Sequence, residues 1–290
     1  DGSLAAGVTS IPYDISGATF VDAFSVSSQE SDPRGIAFNT DGTKMFIVGS
    51  GGDEVNQYAL STGFDVSTAS FTQTFSVAAQ EIIPEAIAFN TDGTKMFITG
   101  LNGDDVNEYA LSTGFDVSTA SFTDAFSVAG QETAPTGLSF NTDGTKMFIV
   151  GEVGVDVNEY ALTTGFDVST ASFTDSFSIA SQEAAPQGLA FSTDGTKMFV
   201  VGDAGNDVNE YTLSTGFDVS TASFTTLFSV AAQDTSPRGL TFNNNGTKMF
   251  VVGGAGVDVN EYAVTQTTFV TTVKAGRAMS ATSINLEYQS

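Results

Sequence analysis

The chain of 290 residues contains no Cys, no His and no Trp. Thiol and imidazole mechanisms are therefore excluded, and no Ser stands in a G-x-S-x-G elbow that would make it a nucleophile. Without Cys, disulfides carry no information about the compartment. Basic residues are scarce, nine Lys and Arg against 34 Asp and Glu, for a net charge of −25. Nucleic acid is not expected as a partner, because binding it rests on neutralising phosphates with Lys and Arg. Cations, basic surfaces and salty water suit such a chain better. No run approaches the roughly 20 apolar residues of a membrane span, so membrane insertion is not expected. The chain opens at Asp1 with no Met and no signal-like apolar run, as in a processed mature protein or a trimmed piece, which allows secretion. No segment shows a 3.6-residue apolar period, which argues against helical repeats.

What is present is repetition. The stretch Pro33 to Gly49, PRGIAFNTDGTKMFIVG, returns four times, with its prolines at Pro33, Pro84, Pro135, Pro186 and Pro237, 51 residues apart at each step. A fixed period of this size marks a solenoid or a propeller. Within one unit, Gly35 to Asn39 and Lys44 to Val48 are apolar runs joined by Thr40-Asp41-Gly42-Thr43, which reads as strand, tight turn, strand. A glycine-rich loop leads to a third strand at Val55 to Leu60. After the Ser61-Thr62-Gly63 turn comes a fourth strand, on which Phe71, Phe75 and Val77 are expected on one face. Four antiparallel strands per unit describe a propeller blade; a parallel β-helix, the structural rival, predicts shorter coils without a hairpin in each.

The motif P-x-G-[IL]-x-F-[NS]-x-[DN]-G-T-K-M-F-[IV]-V resembles the blades of bacterial YncE-like, lactonase-like and WD40-like β-propellers, over about residues 9 to 264. The resemblance implies an all-β propeller. Enzymes of those families rely on His, or on carboxylates that hold a metal, at particular blades, and this chain has no His; the Trp-Asp pair of WD40 repeats is also missing. Thr9 to Val26 align without a gap to Leu111 to Val128, so the chain begins part-way through a repeat. The N-terminal strand, within residues 9–28, is then expected to complete the blade begun at Pro237, closing a ring of five four-stranded blades over residues 1–264 with no sheet edge left at the closure.

Most recurring residues are expected to be structural. Phe38, Met45, Phe46 and Tyr58 with their equivalents should fill the gaps between blades, while Asp41, Asp92, Asp143, Asp194 and Asn245 form turns. Glu30, Glu81, Glu132, Glu183 and Asp234 precede the innermost strands and could form a carboxylate ring at one mouth of the channel. A structural cation such as calcium is one way to relieve the repulsion, and hydrogen bonds from backbone amides are the other. No other cofactor is expected. Carboxylates in fivefold sets single out no catalytic pair, so the expectation is a chain that is not an enzyme. Specific binding is expected where the copies differ: the residue after each proline is Arg34, Glu85, Thr136, Gln187 and Arg238, on the same face as the variable glycine loops.

From Gln266 the repeat stops. Residues 265–290 carry Lys274 and Arg277 against Glu287 alone, a net +1 beside a body of −26. Phe269, Thr271 and Val273, then Ile284, Leu286 and Tyr288, alternate as on strands. This tail is expected to contact a neighbouring subunit, the alternative being that it packs on its own propeller. The resulting expectation is an extracellular or cell-surface structural or adhesive building block, a homo-oligomer or homopolymer assembled through its terminal segments. The alternatives are a multivalent glycan-binding propeller, whose partners would be surface glycans, and a phage tail-fibre or virion domain.

Overall fold

The computed structural model describes residues 5–9, 11–264 and 266–270, and the side chains of 11–264. Five four-stranded antiparallel sheets stand around a central axis as a five-bladed β-propeller. The first blade runs from the inside outward as Pro33–Phe38, Lys44–Gly49, Glu54–Leu60 and Ala69–Ser76, and the next three repeat it. In the fifth, Pro237–Phe242, Lys248–Gly253 and Asp258–Val264 are completed by Ala18–Ser25 from the N-terminus, with Phe24 opposite Val259. The ring thus closes as the alignment of Thr9 to Val26 implies.

Alternation along the strands explains why the second strand reads as a continuous apolar run. Met45 and Ile47 point into the cluster shared with Phe250 and Val252 of the fifth blade. Phe46 and Val48 point the other way, into the cluster shared with Ile87, Met96 and Ile98 of the second blade. A strand with a blade on either side has no solvent face. Each such side chain contributes roughly 1.5–3 kcal/mol when fully buried.

The outermost strand departs from the expected pattern. The register slips between Gln57 and Tyr58, which pair with Gln73 and Phe71, so Thr72 is an extra residue. A bulge of this kind reverses the alternation beyond it. Phe71 and Phe75 therefore lie on opposite faces, a correction to the single-face expectation: Phe71 packs edge-on to Tyr58 of its own blade at 5.8 Å, and Phe75 to Tyr109 of the next at 5.8 Å.

Two glycines show why the motif has the form it has. Gly42 adopts φ +72°, and a Cβ there would lie 2.3 Å from the Phe64 ring that packs on the turn. Gly239 lies where two inner strands meet, and a Cβ there would lie 2.6 Å from the carbonyl oxygen of Arg34. Only a bare Cα fits such close backbone approach. Among the described residues the helices are five three-residue 3-10 turns, such as Val66–Thr68, which the sequence pattern does not announce.

The first strand of the tail, Gln266–Val270, pairs with this chain's own Ala5–Thr9, Ala5 opposite Val270 and Thr9 opposite Gln266. Phe269 lies within that pairing, opposite Ala6. Val273, Lys274, Arg277, Ile284, Leu286 and Tyr288 lie outside the described residues.

Candidate functional site

The inner strands enclose an axial channel whose two ends differ in chemistry. At the end where each inner strand starts, the residue after the proline faces the axis, and here the structure brings the variable set together. Glu85, Thr136 and Gln187 are buried and line a narrow throat with space of about 20 Å³, enough for one water molecule. Arg34 of the first blade places Nη1 2.8 Å from Glu85 Oε1 and Nη2 2.7 Å from Asp32 Oδ2. Arg238 of the fifth blade donates from Nη1 to Gln187 Oε1 at 3.2 Å and from Nε to Ser236 Oγ at 3.2 Å, while its Nη2 stays 3.9 Å from Asp203 Oδ2. Gln187 donates in turn to Glu152 Oε1 of a glycine loop, and Thr136 donates to the carbonyl of Pro186 at 2.8 Å. Loop and strand positions that vary along the sequence thus form two polar clusters, Arg34 with Glu85 and Asp32, and Arg238 with Gln187, Glu152 and Ser236.

Their electrostatics are uneven. Burial pushes the Glu85 carboxyl up to about 7 despite the attraction of Arg34 and Arg238. Burial opposes the charge on Asp32 as well, but hydrogen bonds from Arg34 and Ser50 hold it below the usual carboxylate range. Burial pulls Arg34 down, and the Asp32 hydrogen bond with the charges of Glu85 and Asp32 more than offsets this. Arg34 Nε and Asp203 Oδ1 are buried with no hydrogen-bond partner among the described residues.

The five carboxylates expected at this mouth are buried in their own blades. Glu30 Oε1 accepts from the amides of Asp32 and Gly51, both at 2.8 Å, and Glu81, Glu132, Glu183 and Asp234 repeat the pattern with their own loops. Each ties the loop before the inner strand to the glycine loop, which is the hydrogen-bonded alternative to a shared cation. Among the described residues no group of three or more Asp or Glu is disposed to hold a metal ion.

Beyond the throat, Ile36, Ile87, Leu138, Leu189 and Leu240 form an aliphatic constriction lining both the throat and the wider space beyond it. That space is a vestibule of about 330 Å³ at the opposite end, walled by Phe38, Phe89, Phe140, Phe191 and Phe242. Sequence reasoning assigned these phenylalanines to the gaps between blades, and they do pack there, as Phe38 does on Phe250 at 4.6 Å. Their second surface, toward the axis, left no signal in the repeat, because all five copies are alike.

No family model and no curated protein matches the sequence. Solved structures do. A "putative 6-phosphogluconolactonase" from Bacteroides uniformis is 13% identical, over 81% of this chain and 68% of that one, with a TM-score of 0.50. The β-propeller domain of Cps50 (Swd1) from Myceliophteria thermophila is 8% identical, over 85% of this chain and 99% of that one, with a TM-score of 0.51. A second "putative 6-phosphogluconolactonase", from Bacteroides fragilis, is 15% identical over 81% and 68%, with a TM-score of 0.48. The chain shares the β-propeller fold with the first two of these proteins. The expectation that it is not an enzyme is thereby corrected: a fold that carries a lactonase name does not support it, and the lack of His and Cys leaves carboxyl chemistry in place. At these identities the likeness establishes the fold and nothing of the substrate.

Proposed function

We propose that this propeller binds a small hydroxy acid, of the sugar-acid class, at the throat formed by Arg34, Glu85, Thr136, Gln187 and Arg238. The observation that carries the reading is that the most varied inner-strand position brings two arginines to adjacent blades at one mouth. The five described lysines are committed elsewhere, each donating to a backbone carbonyl between blades. Arg238, only loosely held by Asp203, can receive an oxyanion, and the exposed part of the Asp203 carboxylate can accept from a ligand hydroxyl. The throat is too narrow for the ligand to enter, so it rests on the mouth. The lactonase named in the structural likeness acts, by its name, on a lactone of this chemical class. Glu85, near 7, can take up or release a proton at neutral pH, so turnover of a lactone belongs to the same test.

The experiment is calorimetric titration with gluconate, 6-phosphogluconate and glucose, with lactone hydrolysis followed in parallel. The acids should bind more tightly than glucose, and Arg238→Gln should weaken them by about tenfold, roughly 1.4 kcal/mol. Equal affinity in Arg238→Gln, or no saturable binding of either acid, ends the proposal.

A second reading is a self-assembling extracellular or cell-surface building block, with a virion domain or a multivalent glycan binder as its variants. It is favoured by a belt of half-exposed phenylalanines on the outer strands, Phe20, Phe71, Phe122, Phe173 and Phe224. Repeated apolar groups on edge strands suit contacts between copies, and one aromatic platform per blade suits sugars. Serine at Phe71, Phe122 and Phe173 should abolish concentration-dependent growth in light scattering and any signal on a glycan array. A full chain that is monomeric at high concentration and silent on the array removes this reading.

A further inference from the structure

The vestibule at the opposite end from the throat is used by neither reading, and its rim has a one-sided hydrogen-bonding character. Thr40, Thr91 and Thr142 each donate from Oγ1 to the carbonyl of the equivalent residue in the next blade, at 3.2, 3.3 and 3.0 Å. Asn244 donates from its amide to the carbonyl of Thr40 across the closure. The amides of Asn39, Asn90, Asn141 and Asn243 are spent on threonines of their own turns. These three threonine hydroxyls and one N–H of each asparagine amide are consumed within the protein, which leaves the mouth richer in oxygen lone pairs than in free donors.

Among the described residues the same mouth has no free cation to offer. The lysine of each blade is close by in sequence, yet its Nζ is engaged between blades, as Lys146 is with Glu159 at 2.7 Å and with the carbonyl of Phe217 at 2.6 Å. The hairpin turns around the rim carry Asp41, Asp92, Asp143 and Asp194, all exposed. Hydrogen bonds from the neighbouring hydroxyls of Thr43, Thr94, Thr145 and Ser192 hold these four below the usual carboxylate range, so they stay ionised across the physiological range. Behind the rim the walls turn apolar, with five phenylalanines above the aliphatic constriction.

A chamber of about 330 Å³ lined by phenylalanine rings together with threonine, serine and asparagine side chains, behind a ring of oxygens on a chain of net charge −25, has the chemistry of a receptor for small organic cations. We infer that the vestibule binds an ammonium compound with a compact apolar body, the alkyl or aromatic part among Phe89, Phe140 and Phe191 and the ammonium near the threonine rim. Aromatic rings attract such cations, and acceptor oxygens with distant carboxylates add to the attraction. The fivefold symmetry is broken where Tyr13 replaces the phenylalanine of the other turns and donates from its hydroxyl to the carbonyl of Asn244 at 3.2 Å, and where Ser192 replaces the rim asparagine. The ligand should therefore take one preferred orientation, on the side of Tyr13 and Ser192.

The test titrates the full chain with choline and with its uncharged isostere, 3,3-dimethylbutan-1-ol, following methyl resonances of the Ile36, Ile87 and Leu138 constriction by NMR. Choline should bind saturably and at least about tenfold more tightly than the isostere, the equivalent of roughly 1.4 kcal/mol. Ser139→Phe, which fills the chamber from its wall, should abolish the shifts. If that variant fails to fold, Ser192→Asn, which restores the residue of the other blades, should broaden the single bound orientation into several. Equal binding of the two compounds would reduce the vestibule to an apolar hole, and the absence of any saturable shift would overturn the site itself. Neither outcome touches the hydroxy-acid reading, since the two ends are separated by the aliphatic constriction.

Discussion

Lys146 and Glu159 form an ion pair within the third blade, Nζ 2.7 Å from Oε1, and both side chains reach on to the fourth blade. Lys146 donates to the carbonyl of Phe217 at 2.6 Å, and Glu159 Oε2 accepts from the amide of Val219 at 3.1 Å. The same latch joins the second, fourth and fifth blades to their successors through Glu108, Glu210 and Glu261. In the first blade Gln57 takes the carboxylate's place: its Oε1 accepts from Val117 N at 3.2 Å, and Lys44, which forms no close ion pair among the described residues, donates to the carbonyl of Phe115.

The substituted latch sets up a paired prediction. Gln57→Glu restores the charge that the other four blades carry, beside a lysine that lacks it, and should stabilise by about 0.5–1 kcal/mol. Lys146→Met leaves the buried Glu159 unpaired and should cost about 1–3 kcal/mol. For a chain of this size each kcal/mol moves the midpoint by roughly 2–4 °C, so thermal unfolding of the two variants should shift in opposite directions. A fall in Tm for Gln57→Glu would show that the amide is preferred there.

Much of this architecture is legible in the sequence, for a definite reason. A period of 51 residues with a hairpin in each unit leaves few ways to pair strands, and the gapless match of Thr9 to Val26 fixes where the ring closes. Single insertions are not legible: Thr72 looks like any strand residue, yet as a bulge it sends Phe71 to the face opposite Phe75. The channel is harder still to read, because a sequence has no axis. Arg34 and Glu85 stand out as unlike residues at equivalent positions, but nothing in the order of residues says that they meet at 2.8 Å. The vestibule is the reverse case, since Phe38 and its four copies look like packing and also line a cavity.

Acidity should shape stability in a predictable way. Burial raises the carboxyls of Glu30, Glu81, Glu85 and Glu183 above their ordinary value of 4.5. A group whose folded pKa is raised contributes fully below its unfolded pKa, and the contribution is lost as pH climbs through the folded value. Stability should therefore fall from about pH 4.5 upward, for Glu85 until about 7. The turn carboxyls Asp41, Asp92, Asp143 and Asp194 are lowered from 3.8 and act in the other direction, so their contribution is lost as pH drops below that value. A maximum in mildly acid solution is the expected outcome of urea unfolding across pH, and Glu85→Gln should flatten the decline between pH 5 and pH 7. A maximum at pH 8 would contradict the assignment.

The glycine at the meeting of inner strands supports a sharper test. Gly188 would place a Cβ 2.5 Å from the carbonyl of Arg238, and backbone cannot yield as a side-chain tip can. Gly188→Ala should cost about 1–3 kcal/mol through overpacking. The second blade already carries Ala86, buried in one cluster with Leu138, Met147 and Ile149 of the third blade, so Ala86→Gly should cost less, about 0.5–1 kcal/mol from backbone entropy. Equal losses in the two variants would mean that the inner strands adjust to side chains freely and that the motif glycine is not there for close approach.

Closure by the N-terminal strand is the relationship on which the whole ring depends. Ala18–Ser25 covers Asp258–Val264 along its full length, and the residues before it stitch the fourth blade to the fifth: Tyr13 donates from its amide to the carbonyl of Gly246 at 2.8 Å, Lys197 donates to the carbonyl of Tyr13 at 2.7 Å, and the amide of Ile15 donates to Glu210 at 3.3 Å. Removing residues 1–28 strips the outer strand from one blade, exposes the backbone groups of Asp258–Val264 and uncovers the buried Tyr262 ring. An exposed flat strand edge pairs with other chains. This truncation should therefore aggregate and not merely melt earlier, whereas removing residues 1–10, which leaves every strand of the five blades in place, should keep the protein soluble with its Tm within a few degrees. Size-exclusion chromatography of both truncations separates the outcomes: if the shorter chain elutes as a soluble monomer, the ring tolerates an open blade and the N-terminal strand is an attachment, not the closure.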